Sequence, residues 1–337
     1  MLILVFKIVL IAVILGLSLL IAMYATLVER KFAGFIQDRL GPDRAGKWGI
    51  LQPVADGVKL FFKEEYMPNA ADKFLYILGP SLTMLVALLT SAVIPWGGSV
   101  TLAGKEYTLQ VASSSVDILY IFAVVSMGVY GIMIGGWASN NKYALMGAVR
   151  ASSQMISYEL AMGLSMASVI LMSGSLSMHD IVAHQQSHLW NIVYQPLAFI
   201  IFFTCALAET NRAPFDLPEC EAELIGGYHT EYSAMKLGFY LFAEYINMFV
   251  SSAIMSTLFF GGYTLPFADK LHLAPNLITL LGTAFLFVKI FLFMLLFMWV
   301  RWTLPRFRYD QLMKLGWTIL LPLALLNLII TGVITLL

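Results

Sequence analysis

Four ionisable side chains lie inside long apolar stretches of the sequence, where lipid rather than water is the expected surrounding. They are Glu159, Glu209, Glu244 and Lys289. An ionised side chain at the centre of a bilayer costs roughly 2.5–3.5 kcal/mol on insertion scales, so these residues are expected to face the protein interior. Burial favours the neutral form of a carboxyl, and a carboxyl that binds and releases a proton near neutral pH suits a proton relay.

The residues alone leave two interpretations of this group open. In the first, the three glutamates lead protons from one face of the membrane toward its centre, because all three fall in the same half of their apolar segments, and Lys289 belongs to the same path. In the second, the charges form static ion pairs that join helices, for instance Lys289 with one glutamate.

The composition predicts the elements that must position these groups. Of 337 residues, 60% are hydrophobic and 12% are charged, whereas about 25% are charged in ordinary globular domains. Apolar segments longer than about 18 residues predict membrane spans, and we expect an all-α integral membrane protein with a single polytopic domain, 1–337. The eight predicted spans are 2–28, 73–94, 117–138, 153–174, 192–212, 237–260, 278–300 and 312–336. The first is too long for a signal peptide and is interpreted as a retained span.

The connections between the spans differ sharply in charge. Those after spans one, three, five and seven contain sixteen Lys and Arg residues, whereas those between contain Lys105 and Lys270. Basic loops stay on the cytoplasmic side of a membrane, or on the matrix side in mitochondria. This basic face is therefore predicted to lie inside, with both termini outside.

The first basic loop also predicts an amphipathic helix that lies along the membrane surface. Its apolar side comprises Leu51, Val54, Ala55, Val58, Phe61 and Phe62, and its polar side comprises Gln52, Asp56, Lys59 and Lys63. The segment is too short and too charged to span a bilayer. It either packs on other subunits or borders an opening through which an apolar molecule enters from the lipid.

Other kinds of site are disfavoured. Cys205 and Cys220 are too few for a cysteine-ligated zinc or iron–sulfur site, and no glycine-rich nucleotide motif is present. His184 and His188 have the i, i+4 spacing of some metal sites but are interpreted as polar loop residues, so no metal is predicted. The net charge of zero gives no indication of a nucleic-acid partner.

The loop after the fifth span carries an acidic run although it lies on the basic face. Its acids are Asp216, Glu219, Glu221, Glu223 and Glu231. A solvated loop is the simplest interpretation. The alternative is that these acids belong with the intramembrane glutamates.

Four stretches of the loops are more specific. They begin "ERKFAGFIQDRLGPDRAG" (residues 29–64), "WASNNKYALMGAVR" (137–160), "AETNRAPFDLPECEAE" (208–245) and "WVRWTLPRFRYDQ" (299–317). In sequence and order they resemble the membrane subunit at the quinone site of respiratory complex I, which is the H subunit of bacterial NADH–quinone oxidoreductase and has a mitochondrial counterpart. The resemblance covers nearly the whole chain and is weakest at 95–116 and 175–191.

This resemblance implies a function beyond what the residues indicate. It implies eight spans, a chamber for a quinone (ubiquinone or menaquinone) as substrate, and proton translocation coupled to quinone reduction. It places no redox centre in this chain, because FMN and the iron–sulfur clusters belong to partner subunits. The implied partners are the peripheral subunits at the quinone site and the antiporter-like membrane subunits.

The resemblance also assigns residues by match of motif. The implied chain of glutamates comprises Glu159, Glu209, Glu219, Glu221, Glu223 and Glu244. The residues implied to line or brace the chamber and its entrance are Arg30, Lys31, Arg39, Asp56, Arg212, Phe215 and Asp216.

Two alternatives remain. The first is the homologous subunit of an energy-converting hydrogenase or related dehydrogenase, which the intact "GPDRAG" and "ETNRAPFDLPE" motifs disfavour. The second is a secondary cation or proton transporter, which the lack of an inverted repeat disfavours. The expected location is the bacterial inner membrane or, alternatively, the mitochondrial inner membrane.

Overall fold

The structure, a computed structural model, describes residues 2–102, 104–217, 224–266 and 274–336. Most of these residues are helical. The helices are α1 (Leu2–Ile36), α2 (Gln52–Phe62), α3 (Lys73–Thr90), α4 (Asp117–Ala138), α5 (Lys142–Ser173), α6 (Met178–Ser187), α7 (Asn191–Tyr194), α8 (Pro196–Glu209), α9 (Ala234–Phe259), α10 (Pro275–Thr303), α11 (Tyr309–Lys314) and α12 (Leu321–Leu336). A π-helical turn, Leu315–Leu320, joins α11 to α12. One antiparallel hairpin pairs β1 (Ser99–Leu102) with β2 (Lys105–Thr108).

The predicted all-α membrane architecture is confirmed. In the part of the chain that the structure describes, seven helices are long and apolar enough to cross a membrane, and they correspond to predicted spans one to four and six to eight. The predicted span 192–212 is interrupted before Pro196, and the apolar helix that follows, α8, has 14 residues. At 1.5 Å per residue α8 rises only about 21 Å.

Two spanning helices are longer at the basic face than their apolar segments predicted. Helix α1 continues to Ile36, so Glu29, Arg30 and Lys31 lie on a helix and not in a loop. Helix α5 begins at Lys142, where the Asn141 side chain caps it by accepting a hydrogen bond of 2.8 Å from the backbone N–H of Tyr143. Capping side chains of this kind satisfy the unpaired N–H groups of a helix start. These extensions place charged residues on the same continuous helices that cross the membrane.

Glycines allow α3 and α4 to approach closely. A Cβ added at Gly79 would lie 2.7 Å from the Cα of Gly135, and a Cβ added at Gly131 would lie 3.0 Å from the carbonyl oxygen of Gly79. Small residues at such a contact let helix backbones pack closely inside a membrane. Close packing is important there because the surrounding lipid is apolar, so the hydrophobic effect does not drive helices together. The side chains of α9 fill the space beside this pair.

The predicted amphipathic helix is present as α2. Which of its two faces packs on the rest of the protein could not be predicted from the periodicity. Val54, Val58, Phe61 and Phe62 on its apolar side are 42–88% exposed in this chain. The side that faces the rest of the protein carries Pro53, which is buried. The apolar face of α2 is thus available to lipid or to another subunit.

The face opposite the basic loops has regular secondary structure that was not predicted. It contains the β1–β2 hairpin and helix α6. The buried Asp117 carboxylate accepts hydrogen bonds from the backbone N–H groups of Ser114 at 3.0 Å and Met178 at 3.1 Å. This contact ties the start of α4 to the start of α6.

Candidate functional site

Two of the intramembrane glutamates line one small cavity. This glutamate cavity, of about 30 Å³, is bounded by Glu209 at the end of α8, by Glu244 and Asn247 of α9, and by Tyr228 and Tyr240. The Tyr228 hydroxyl donates a hydrogen bond of 3.2 Å to Glu244 Oε1. A polar space of this size is large enough for a water molecule. The cavity therefore has the groups and the volume to hold and pass a proton.

Glu159 lies next to this cavity on α5. Its carboxylate accepts a hydrogen bond from the Ser126 hydroxyl of α4, and its charge acts on that of Glu209. The structure therefore brings the three intramembrane glutamates of the sequence prediction into one neighbourhood. Glu219, Glu221 and Glu223 lie outside the described residues.

A buried ion cluster lies beside the cavity. Glu29 of α1 is 4% exposed and Arg212 is 2% exposed. Arg212 Nη1 donates to Glu29 Oε2 at 2.8 Å, and Arg301 of α10 donates to the other carboxylate oxygen. The Arg212 guanidinium also lies 4.2 Å from the centre of the Tyr245 ring, which is a favourable cation–π distance.

Arg212 retains donors that nothing in the described part of the chain satisfies. Its Nε and Nη2 atoms are buried and have no hydrogen-bond partner there. An arginine carries five N–H donors, and a buried polar group without a partner costs free energy. Arg212 is close enough to Glu244 for their charges to interact, so it is electrostatically linked to both Glu29 and the glutamate cavity.

A second, larger cavity opens between α1, α2 and α9. This portal cavity, of about 280 Å³, is lined by Arg30, Asp56, Gly57, Leu60 and Tyr245, among other residues. Arg30 Nη1 lies 2.7 Å from Asp56 Oδ2 and joins α1 to α2 across one edge. The predicted chamber residues Arg30 and Asp56 are therefore together, at the mouth of an otherwise apolar space.

Lys31 and Arg39 lie at a separate cleft on the basic face. This cleft of about 460 Å³ is also lined by Phe35, Pro42 and Trp48. Lys31 Nζ donates to the Trp48 carbonyl at 2.5 Å. These two predicted residues are thus not part of the portal cavity.

Phe215 and Asp216 connect the segment after α8 to the segment before α11. The Phe215 ring packs edge-on against Tyr158 and lies 5.5 Å from the Phe307 ring, centre to centre. The buried Asp216 carboxylate lies 2.9 Å from Arg306 Nη2. Both residues therefore brace the two segments.

Lys289 lies in a different part of the protein from the glutamates. Its ammonium donates to the carbonyls of Phe260 at 2.7 Å and Gly262 at 2.8 Å, at the end of α9. Phe260 follows Glu244 by 16 residues, a rise of about 24 Å along a helix. The ion pair between Lys289 and a glutamate that the sequence allowed is not seen among the described residues.

Sequence reasoning missed several members of this arrangement. Glu29, Arg301, Tyr245 and Tyr228 were not singled out. The only signal was an acid, Glu29, that directly follows an apolar segment and precedes two basic residues. Its partners are distant in sequence, so spacing did not reveal them.

Comparison with known proteins identifies the family. The family model described as NADH dehydrogenase matches residues 8–332. The NADH-quinone oxidoreductase H subunit 1 of Cytophaga hutchinsonii is 63% identical over 326 residues, which are 97% of this chain and 95% of the relative. The H subunit of the same enzyme from Flavobacterium psychrophilum is 60% identical over 98% of this chain and 97% of the relative. The H subunit 1 of Geobacter sulfurreducens is 48% identical over 94% and 91%.

The chain belongs to the family of NADH-quinone oxidoreductase H subunits. The resemblance drawn from the loop sequences is confirmed, and with it the interpretation of the chain as a membrane subunit of an oxidoreductase complex. As a member of this family it has other subunits of that complex as partners. The relatives carry the name of the quinone enzyme, which favours that interpretation over a hydrogenase subunit or a transporter.

Proposed function

We propose that this chain forms the membrane wall of a quinone chamber and carries protons from that chamber into the membrane through Glu159, Glu209 and Glu244. Quinone reduction consumes two electrons and two protons, and the electrons come from iron–sulfur clusters and FMN on partner subunits. The chain itself supplies the apolar route for the quinone and the carboxyls that take part in proton transfer.

The observation that carries this proposal is the position of Arg212 between the two cavities. On one side its guanidinium lies on the ring of Tyr245, which lines the portal cavity. On the other side its charge acts on Glu244, which lines the glutamate cavity. A charge that appears near the chamber during quinone reduction attracts or repels the Arg212 guanidinium, and a displacement of that guanidinium changes the proton affinity of Glu244.

The portal cavity supports a role in quinone access. A quinone has an apolar tail and a polar head, and the cavity has apolar walls with the Arg30–Asp56 pair at one edge. Its borders are α2, which has a free apolar face, and two spanning helices. These features favour the interpretation of α2 as the border of an opening. Lys31, Arg39, Phe215 and Asp216 would then brace the loops around the chamber.

The finer assignments follow from the same proposal. Glu219, Glu221 and Glu223 would extend the glutamate path between the chamber and the membrane, and the basic face would face the cytoplasm of a bacterial cell. The partners would include the peripheral subunits at the quinone site and the antiporter-like membrane subunits. The quinone would be ubiquinone or menaquinone.

The test is removal of the proton-binding group at constant size in the assembled complex. Glu244→Gln and Glu159→Gln are expected to lower NADH:quinone turnover and proton pumping together by roughly 10²-fold, the scale of a lost general acid–base group. NADH oxidation by a hydrophilic artificial acceptor is expected to persist, because that reaction takes place on other subunits. Glu244→Asp is expected to restore part of the activity, since it keeps the carboxyl.

Glu106→Gln is the matched control, because this glutamate lies on the exposed β2 strand. It is expected to leave turnover and pumping unchanged. An assembled Glu244→Gln complex that pumps at the normal rate would show that this residue carries no protons.

A further inference from the structure

Four buried tyrosines lie between the glutamate cavity and the basic face. Tyr76, Tyr228, Tyr232 and Tyr240, the tyrosine cluster, are each at most 5% exposed. Tyr76 stacks on Tyr232 with ring centres 4.2 Å apart, and Tyr240 packs edge-on against both Tyr228 and Tyr232 at 5.1 Å. Together with apolar neighbours they form a packed core separate from the main one.

The order of these residues along their helices fixes their depth. Tyr76 is the fourth residue of α3 from the basic face, and Tyr232 lies two residues before the start of α9. Tyr240 lies about two turns into α9, and Glu244 is one turn deeper. Tyr228 and Tyr240 line the glutamate cavity from this side. The cluster thus occupies the direct route between the cavity and the basic face.

The backbones of α3 and α4 pack directly against the Tyr240 hydroxyl and leave no room for water on that side. A Cβ added at Gly135 would lie 1.9 Å from the Tyr240 hydroxyl oxygen, and a Cβ added at Gly79 would lie 2.8 Å from it. The glycines let the tyrosine ring reach the backbone itself. Ile132 and Met155, which line the cavity, belong to the same packed core.

Three of the four hydroxyls of the cluster contact backbone carbonyls, whereas that of Tyr228 donates to Glu244. Tyr76 donates to the carbonyl of Glu231 at 2.6 Å, and Tyr240 donates to that of Gly131 at 3.3 Å. Tyr232 points at two carbonyls, both at 3.1 Å, although its hydroxyl and that of Tyr240 also contact each other. A carbonyl accepts a hydrogen bond but has no proton to pass on. A chain of proton hops from Tyr76 to Tyr240 is therefore broken between Tyr76 and Tyr232, where only a carbonyl joins the two residues.

We propose that the tyrosine cluster is a proton seal that prevents direct exchange between the glutamate cavity and the basic face. The inference rests on the proposed function, because a seal matters only if the cavity carries protons. Packed rings that exclude water and a break in the chain of hydroxyls are the two features that a seal requires, since a closed site prevents proton leakage. Protons then reach Glu244 from the chamber side, past Arg212 and Tyr245, so that they move only when the quinone reacts.

The test compares two substitutions of Tyr240 in the assembled complex in sealed membrane vesicles. Tyr240→Ser removes the ring and opens a polar gap, so the number of protons pumped per NADH oxidised is expected to fall at least about twofold while quinone turnover continues. Tyr240→Phe separates the ring from the hydroxyl. It removes only the hydroxyl and keeps the ring, so the number of protons pumped per NADH oxidised is expected to stay near normal.

Two results would overturn the seal. The first is a Tyr240→Phe complex with slowed turnover and pumping, because the hydroxyl would then be a proton carrier. The second is an assembled Tyr240→Ser complex with a normal pumping ratio. If Tyr240→Ser does not assemble, Tyr232→Ser tests the same barrier one layer closer to the basic face, with the same expected loss of coupling.

A labelling measurement needs no change to a tyrosine. In a Cys220→Ser background, Ile132→Cys on the cavity side is expected to resist a hydrophilic thiol reagent applied from the basic face, whereas Asn140→Cys at that face is expected to react. Rapid labelling at position 132 would contradict the seal. Normal pumping by Glu244→Gln would refute the relay itself, whereas a blocked Glu244→Gln with a fully coupled Tyr240→Ser would refute only the seal.

Discussion

Glu244 and Tyr245 follow one another in α9, yet their side chains line two different cavities. Consecutive residues of a helix point about 100° apart, so one helix can border two spaces at the same level. Arg212 lies between them, on the ring of one and within electrostatic reach of the other. A change of charge in the portal cavity can therefore affect the glutamate cavity through a single side chain, that of Arg212.

Arg212 is expected to be essential for stability as well as for coupling. Arg212→Met leaves the buried Glu29 with Arg301 as its remaining ion-pair partner, and breaking a buried ion pair typically costs about 3–5 kcal/mol. We expect a lower yield of assembled complex and a lower unfolding temperature in a thermal-shift measurement. Arg308→Met is the control, because its pair with Asp310 is exposed and such pairs contribute little. Equal unfolding temperatures for the two variants would contradict a stabilising role for the Glu29–Arg212 pair.

The ion cluster also shows where sequence reasoning stopped. Apolar composition is a local property, so the long spans could be predicted from it. Glu29 was assigned to a loop because the apolar stretch ends there, although the helix continues to Ile36. Its partner Arg212 is 183 residues away. The packing of α1 and α8 against α9 brings the two together, and no spacing along the chain records that packing.

Helix α2 illustrates a second limit. The alternation of apolar and polar residues correctly predicted a helix, because periodicity defines a face. Periodicity does not state which side packs on the protein, and the exposed Val58 and Phe61 lie on the apolar side while Gly57 and Leu60 line the portal cavity. The cluster of tyrosines was likewise invisible, since its members come from three separate segments.

The portal cavity predicts a selective effect on quinone kinetics. Leu60→Trp replaces the leucine side chain by a larger indole in a cavity of about 280 Å³. The KM for a long-tailed quinone is therefore expected to rise several-fold, on the order of 1 kcal/mol of lost binding. Phe61→Trp is the matched control, because Phe61 is 71% exposed and outside the lining. Steady-state assays with long-tailed and short-tailed quinones measure the effect.

The comparison of quinones with different tail lengths distinguishes a narrowed portal from general damage to the fold. A quinone without a long tail needs less of the portal, so its KM is expected to change less in Leu60→Trp. Identical kinetics for Leu60→Trp and the unmodified complex would exclude the cavity from the quinone route. A general fall in kcat with every acceptor would indicate damage to the fold.

The charge asymmetry of the loops predicts the orientation of the whole arrangement. Reporters fused after Ala45, Asn140 or Tyr309 are expected to lie inside the cell, and one fused after His188 is expected to lie outside. The physical reason is the retention of basic loops on the inner side. Paired reporters that are active on opposite sides of the membrane measure it. An outside signal at Ala45 would reverse the orientation and place the portal cavity on the other face.

Lys289 supports the last prediction, because its contacts favour a structural role over a place in the proton path. Its ammonium donates to two carbonyls at the end of α9, and Gln185 and Asn191 donate to further carbonyls of the same helix end. The last carbonyls of a helix lack partners within the helix, and a cation near them is favourable. Lys289→Met is therefore expected to reduce the amount and the thermal stability of the assembled complex.

Lys289→Arg separates the two roles, because an arginine keeps the charge and the donors but does not release a proton in a protein. If Lys289 caps α9, the arginine variant is expected to recover much of the assembly and to pump at a near-normal ratio. If Lys289 carries protons, as its position within an apolar span suggested, the arginine variant would assemble and yet fail to pump. Quantifying assembled complex by native gel electrophoresis, and proton pumping in vesicles from the same preparation, decides between these outcomes.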